Sequence, residues 1–216
     1  MTMQIHADPI TVNCRKVLAG FKLIGAPYEL IHVDYFKGEH RQEPYLSLNP
    51  NASVPALVDG DFTLWESNAM LQYAADKLGN EAVYPRDLKT RADIQRWLQW
   101  EGSHWFPACY VFLVENCVKP LLGGQPDPAV LTAQAETFHK LAGILDRRLA
   151  GRKWMVGDGP TIADIVLAAP MHLHGWQQLP LNDHPNLKRW LLESVETLPC
   201  WQETTVYEGF TTQRPA

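Results

Sequence analysis

Three clusters in the first third of the chain carry residue types that can do chemistry. The first is Thr11-Val12-Asn13-Cys14-Arg15-Lys16, between a strand pattern and a helical pattern. A strand-to-helix turn gathers backbone N–H groups and the positive end of the helix dipole at one spot, which stabilises an anion. A thiolate suits such a place. An unperturbed thiol has a pKa of about 8.5, so only a few per cent is ionised at pH 7. Lowering that pKa by about two units takes roughly 2.7 kcal/mol of interaction with the site. The Thr11 hydroxyl can donate one hydrogen bond to a thiolate, and the Asn13 amide a second. On local sequence alone the simpler reading of Thr11 or Asn13 is an N-cap. Cys14 is a nucleophile candidate beside Arg15 and Lys16. No second cysteine stands three residues before it, however, and a lone Cys one turn into an apolar helix is more often a buried small residue. A thiol brought in by a substrate therefore ranks ahead of Cys14.

The second cluster is Glu66-Ser67, which closes a strand and opens a helix. The Ser67 hydroxyl and N–H face an anion site there, suited to a carboxylate, and Glu66 can pair with an ammonium group. An N-cap alone fits the same residues. The third is Lys37-Gly38-Glu39-His40-Arg41, with three potential cations for a second carboxylate, or simply a solvated loop. Between them lies Asn49-Pro50-Asn51-Ala52-Ser53-Val54-Pro55-Ala56-Leu57. Val54 precedes a proline at the mouth of an apolar strand, a position that favours extended backbone. If the Val54–Pro55 bond is cis, the Val54 N–H and C=O face outward and can pair with an extended ligand, as an added strand would. A plain strand-entry proline is the alternative. Together the clusters describe a ligand with a carboxylate at each end, an amine near one of them and a peptide backbone between. With a thiol added, glutathione fits.

These residues need a scaffold, and the first eighty residues read as alternating strand and helix. Gln4–Ala7, Tyr28–Val33, Ala56–Val58 and Phe62–Leu64 are strand candidates, with Asp59-Gly60 a hairpin signal. Cys14–Ile24 carries a helical stripe at Val17, Leu18, Phe21 and Ile24, and Gly25 and Pro27 end it. A short helix or turn is expected over Pro44–Leu48, and a helix over Ser67–Leu78 with Gly79 behind it. The order is βαβ, then ββα: a small mixed α/β sheet covered by helices. Residues 81–88 read as a linker. Beyond it strand signals vanish, and residues 89–216 read as an all-α domain. Its expected helices are Arg91–Leu122 with a kink at Pro107, Ala129–Leu149, Ile162–Met171, Pro185–Ser194 and Cys200–Tyr207. Thr161 and Asp164 form a capping box, a folding signal without chemistry.

Composition narrows the function. At 216 residues, 46% of them apolar and eight of them Trp, the chain can form one large domain or two small ones. A net charge of −5 argues against a nucleic-acid groove. No apolar run is long enough to cross a membrane, and the first six residues lack the basic flank and apolar run of a signal peptide. Cys14, Cys109, Cys117 and Cys200 are scattered, with no C-x-x-C, which suggests free thiols in a reducing cytoplasm. His172-Leu173-His174 looks like a metal pair, but i and i+2 diverge on a helix and no ligand cluster surrounds them, so no metal is expected. The aromatics Trp97 to Phe112 crowd one helix and are expected to be mostly core or interface. Those nearest Pro107, namely Trp105, Phe106 and Tyr110, can line an apolar pocket beside the thiol.

In these combined motifs the chain resembles the cytosolic glutathione transferases over essentially its whole length. The motifs are Lys37-Gly38-Glu39-His40, Asn49-Pro50 through Leu57, and Glu66-Ser67-Asn68-Ala69. Trp105-Phe106-Pro107, Lys119-Pro120-Leu121 and Gly123 resemble the phi-like group, and the Thr161–Asp164 box resembles the family's capping motif. The resemblance implies a thioredoxin-like domain over 1–80 that binds glutathione, and a helical domain over 89–216 that contributes the electrophile pocket. It implies that Val54 pairs with the cysteinyl backbone and that Pro55 is cis. It implies Glu66 and Ser67 at the γ-glutamyl end and His40 with Arg41 near the glycine end. Ser53 stands where Gln or Lys is commoner; it is shorter, so the resemblance implies that one contact to the glycine end is lost. Thr11 falls where phi-like enzymes place a catalytic serine. Thr followed two residues on by Asn also looks like a bacterial group with disulfide-reductase activity. A thiol-bearing omega or lambda type would have Cys at position 11. The expected function is transfer of glutathione, as co-substrate and without another cofactor, to a small apolar electrophile. The alternatives are a glutathione-dependent disulfide reductase or peroxidase, and a non-catalytic glutathione-binding protein. A homodimer follows from the resemblance alone.

Overall fold

A computed structural model describes residues 2–205 of the chain. They divide into two compact units, one of residues 2–86 with 199–205 and one of residues 87–198.

The first unit is built on β1 (Met3–Ala7), α1 (Val12–Ile24), β2 (Tyr28–His32), a 3₁₀ turn at Glu39–Arg41, α2 (Tyr45–Leu48), β3 (Ala56–Asp59), β4 (Phe62–Leu64) and α3 (Ser67–Leu78). The four strands form one sheet in the order β2-β1-β3-β4. β1 runs parallel to β2, with Ala7 opposite His32, and antiparallel to β3, with Ile5 opposite Leu57. β4 pairs antiparallel with β3, Leu64 opposite Leu57. Strand alternation sends Met3, Ile5 and Ala7 into the core on the face that Leu57, opposite Ile5, also occupies. This is the βαβ-ββα order expected from the sequence.

Both long helices of this unit end at a glycine in the left-handed region, Gly25 at φ 76° and Gly79 at φ 65°. The Gly25 N–H bonds Lys22 O and the Ala26 N–H bonds Phe21 O, which satisfies carbonyls the helix end leaves open. α1 packs on α3 through Gly20: a Cβ there would lie 2.3 Å from Leu71 Cδ2, and Leu71 is fully buried.

The second unit begins with α4 (Leu88–Trp100). Right-handed helical backbone continues through a π turn at Glu101–Trp105, α5 (Phe106–Leu113), a second π turn at Val114–Val118 and α6 (Lys119–Leu121). Pro107 and Pro120 each sit just inside the helix that follows a π turn. Proline has no N–H for the carbonyl one turn back, and the wider turn absorbs that gap. Next come α7 (Pro128–Leu149), α8 (Ile162–Ala168), α9 (His174–Gln177) and α10 (Pro185–Arg189), which runs into a π turn at Trp190–Val195. The helix expected over Ile162–Met171 stops at Ala168 and tightens to a 3₁₀ turn around Pro170. The capping box is present, and the buried Asp164 carboxylate also accepts from Met155 N at 2.9 Å and Trp190 Nε1 at 3.0 Å.

The last described helix, α11 (Pro199–Gln202), corrects the expected domain partition. It belongs with the first unit, not the helical one. Arg15 of α1 lies 4.4 Å from the Trp201 ring and donates to Trp201 O and Thr205 Oγ1, and Lys22 pairs with Glu203 at 2.7 Å. The expected helix over Cys200–Tyr207 ends at Gln202, and residues 206 and 207 lie outside the described ones.

Gly20→Ala is expected to lower the stability of the first unit by about 1–3 kcal/mol, because a fully buried Leu71 has no free space to yield into. Urea unfolding measures it, and an unshifted midpoint would show that α1 and α3 can part cheaply.

Candidate active site

The sheet order decides which loops meet. β1 and β2 are parallel and end side by side, Ala7 opposite His32. β3 is antiparallel to β1 and begins at Ala56, opposite His6. β4 ends at Leu64, opposite Leu57 near the start of β3. The segments 8–11, 33–41, 53–55 and 65–67 therefore all leave the same end of the sheet. They hold the Thr11 turn, the His40 loop, the Val54–Pro55 bend and the Glu66-Ser67 junction.

Asp8 organises the first segment. Its backbone carbonyl accepts from both Thr11 N and Thr11 Oγ1 at 3.1 Å. Its carboxylate accepts from Ile10 N at 3.2 Å and from Tyr35 N at 3.0 Å, which ties this turn to the His40 loop. Thr11 occupies the N-cap position of α1, but its side chain makes no capping bond. Asn13 does not cap either: among the described residues its amide makes no hydrogen bond, and Oδ1 is buried without a partner. Thr11 is thus the N-cap by position, without a side-chain capping bond, and Asn13 is not a cap. Cys14 is fully buried, and burial pushes its thiol up to about 12, although hydrogen bonding from Thr11 and the Asp8 backbone pulls the other way. Arg15 turns to α11 and Lys16 to α3, so neither supports a Cys14 thiolate.

The Val54–Pro55 bond is cis, as is Glu43–Pro44. The approach to it is braced: Ser53 O accepts from Tyr45 OH at 2.6 Å and from Asn49 Nδ2 at 2.7 Å. Ser53 itself is exposed. Among the described residues neither the Val54 N–H nor its C=O takes a hydrogen-bond partner. A buried segment with open backbone groups at a sheet end is a place where an extended chain can pair.

Glu66 has φ 74° and ψ 104°, a left-handed conformation without glycine. Such strain costs on the order of 1–3 kcal/mol and tends to collect at functional sites. It turns the chain sharply into α3, so that Ser67 is the first helical residue and not the cap. The buried Ser67 hydroxyl accepts from Lys16 Nζ at 3.3 Å, and the same ammonium donates to Asn68 Oδ1 at 3.2 Å. Glu66 is exposed.

The cationic loop divides. Lys37 pairs with Asp34 at 2.9 Å and is exposed. His40 is 3% exposed and stacks on Tyr35 at 4.5 Å. Arg41 Nε donates to His40 Nε2 at 3.2 Å. A guanidinium only donates, so Nε2 accepts and the proton sits on Nδ1, which is buried without a partner. Burial first, and the Arg41 charge second, hold His40 below the usual histidine range. His40 is thus a neutral donor at neutral pH, and Arg41 alone is the exposed cation of that pair.

Trp105, Phe106 and Tyr110 belong to the second unit and separate in role. Trp105 is fully buried, 5.2 Å from Phe138, with its indole N–H on Leu167 O at 3.0 Å. It is core and lines no open surface, which corrects the expectation. Phe106 and Tyr110 stack at 5.2 Å, and Tyr110 is exposed. His172 bonds Ala169 O at 2.9 Å and His174 bonds Glu196 at 3.1 Å, so each histidine has a structural partner of its own.

Sequence reasoning missed Asp8, Tyr45, Asn49 and Lys16. Asp8-Pro9 was a legible turn signal. Lys16, fully enclosed among apolar neighbours of α1, carried no local sign of its partner fifty-one residues on.

Known proteins match this geometry. The family description "Glutathione S-transferase, N-terminal domain" matches residues 4–76, and "Glutathione S-transferase, C-terminal domain" matches residues 110–197. Glutathione S-transferase 3 of Zea mays is 32% identical over 94% of this chain and 92% of its own. The crystal structure of glutathione transferase F7 from Populus trichocarpa superposes with a TM-score of 0.87 at 27% identity, covering 96% of this chain and 99% of that one. Glutathione S-transferase I from maize, in complex with an atrazine glutathione conjugate, superposes with a TM-score of 0.84 at 26% identity, covering 94% and 96%. In both halves of its sequence and in its fold, the chain belongs to the glutathione S-transferase family.

Proposed function

We propose that the first unit binds glutathione at the shared sheet end and activates its thiol for attack on an apolar electrophile. The observation that carries this reading is the open Val54 backbone, placed by the strand order among the Thr11 turn, the Glu66-Ser67 junction and the His40 loop. The cysteinyl backbone pairs with Val54 as an added strand. The γ-glutamyl carboxylate lies at the start of α3, held by Ser67, and its ammonium group meets Glu66. The glycine carboxylate lies toward Arg41, with the His40 Nδ1–H as a second donor and Ser53 close by.

Thr11 activates the sulfur. In the free protein its hydroxyl donates to a neutral carbonyl, Asp8 O, at 3.1 Å. A neutral hydrogen bond contributes about 0.5–1.5 kcal/mol, and one to a charged group about 1.5–3 kcal/mol. Turning the proton from Asp8 O to a thiolate therefore gains on the order of 1 kcal/mol. Two units of pKa need roughly 2.7 kcal/mol, so Thr11 alone falls short. The Asn13 amide and the N-terminal dipole of α1 supply the rest. The thiolate displaces a leaving group from the electrophile, forming a thioether. The maize relative that holds an atrazine glutathione conjugate supports an apolar electrophile, and Phe106 with Tyr110 is the aromatic surface of the helical unit assigned to it. A homodimer in the cytoplasm, with glutathione as co-substrate, completes the reading.

The same thiolate can attack sulfur. The Asn13 side chain keeps that second reading open, since its Oδ1 is buried without a partner and its amide nitrogen makes no hydrogen bond among the described residues. Paired assays with an aryl halide and a glutathione disulfide separate them, and tight glutathione binding with no turnover of either would leave a binding protein.

Thr11→Ala is expected to raise the pKa of bound glutathione by about one unit and cut turnover below that pKa by about tenfold, with a smaller effect on affinity. Ultraviolet absorbance of the bound thiolate and steady-state kinetics read this, and unchanged values remove Thr11 from the role. Cys14→Ala is expected to keep turnover within about twofold, because a sulfur held as a thiol at neutral pH takes no part. Loss of turnover in a folded Cys14→Ala protein would return the nucleophile to the chain itself.

A further inference from the structure

The structure assigns Lys16 as the positioning residue that aims the Ser67 hydroxyl at the ligand carboxylate. This rests on the reading of Ser67 given above and goes beyond it. Lys16 lies on α1, is 2% exposed, and reaches across to α3. Its ammonium donates to Ser67 Oγ at 3.3 Å and to Asn68 Oδ1 at 3.2 Å.

A lysine ammonium has three donors and no acceptor, so in this contact Ser67 Oγ must accept. The hydroxyl proton of Ser67 is then directed elsewhere. A serine inside a helix commonly gives that proton to the carbonyl one turn back. Ser67 is the first residue of α3, and no helical carbonyl lies behind it. Among the described residues Ser67 has no acceptor for it. The remaining direction is outward from the start of α3, where the first helical N–H groups also point and where the reading above places a carboxylate.

Lys16 adds two effects to this geometry. A hydroxyl that accepts from a cation becomes a stronger donor, because hydrogen bonds in a chain polarise one another. The buried positive charge also stands behind the anion site, in a low-dielectric setting where salt screens little. Both effects act on the γ-glutamyl carboxylate and neither acts on the sulfur. Lys16 is therefore expected to govern affinity for glutathione and leave the chemical step alone.

The test uses two peptides, glutathione and 4-aminobutyryl-cysteinylglycine, which differs only in lacking the γ-glutamyl α-carboxylate. Calorimetry gives the affinity of each for wild-type, Lys16→Met and Lys16→Arg, alongside steady-state kinetics. Wild-type is expected to prefer glutathione. In Lys16→Met that preference is expected to shrink by about tenfold, the size of one charge-assisted hydrogen bond, while KM for glutathione rises. The kcat at saturating glutathione is expected to hold within about twofold, and Lys16→Arg to recover much of the preference. An undiminished preference in Lys16→Met, or a kcat that falls as far as affinity does, overturns the role of Lys16. Equal binding of both peptides by wild-type overturns the assignment of Ser67 to the carboxylate instead. Should the Met variant fail to fold by circular dichroism, Lys16→Gln carries the same test, since it keeps amide donors without the charge.

Discussion

The antiparallel pairing of β3 with β1, Ile5 opposite Leu57, is the constraint on which the site depends. Reversing the direction of β3 relative to β1 and β2 places the start of one strand beside the ends of two others. A parallel β3 would put Val54 at the opposite end of the sheet from Thr11, about four residues or roughly 13 Å away. The pairing is itself held by burial, since Ile5, Leu57 and Ala56 are all fully enclosed. A one-residue slip of β3 would exchange Leu57 and Ala56 between the two faces of the sheet, so the fit of large and small side chains also fixes which backbone groups are left open at the sheet end.

Around that frame the site is fastened by three separate polar braces. Asp8 ties the Thr11 turn to the His40 loop, Tyr45 and Asn49 hold the Ser53 carbonyl, and Lys16 links α1 to the start of α3. Each brace is a buried or half-buried hydrogen bond, and near them Asn13 Oδ1, the Val54 backbone and His40 Nδ1 have no partner among the described residues. Unpaired buried groups of this kind cost about 1–3 kcal/mol apiece. A ligand that satisfies several at once recovers that cost, which is a physical reason for a polar tripeptide to bind in a half-buried groove.

Much of this was legible in the sequence. β4 and α3 run over the residues that alternation and the Gly79 stop indicate. Thr11, Val54 and Ser67 stand out because turn and strand chemistry is local. Three things were not legible. Lys16 and Ser67 are fifty-one residues apart, and Arg15 reaches a residue 186 positions away, so the local pattern shows only a cationic pair beside Cys14. His40 looks cationic in sequence, and its burial, with the Arg41 charge beside it, is what holds it neutral. Trp105 and Tyr110 could not be told apart because each π turn inserts an extra residue and rotates the following helix by roughly 100°. Nearness to Pro107, which singled out Trp105, Phe106 and Tyr110, carries no information about which of them faces inward.

All four cysteines, Cys14, Cys109, Cys117 and Cys200, are reduced and buried, and burial raises each thiol above its ordinary range. A protein that works in a pool of glutathione and its oxidised forms meets agents that S-glutathionylate accessible thiolates. Keeping its own sulfurs protonated and enclosed makes the folded chain inert toward that modification, and toward oxidative cross-linking between copies. Oxidation of its cysteines would then require the core to open first, so the redox tolerance of these thiols is set by the stability of the fold around them.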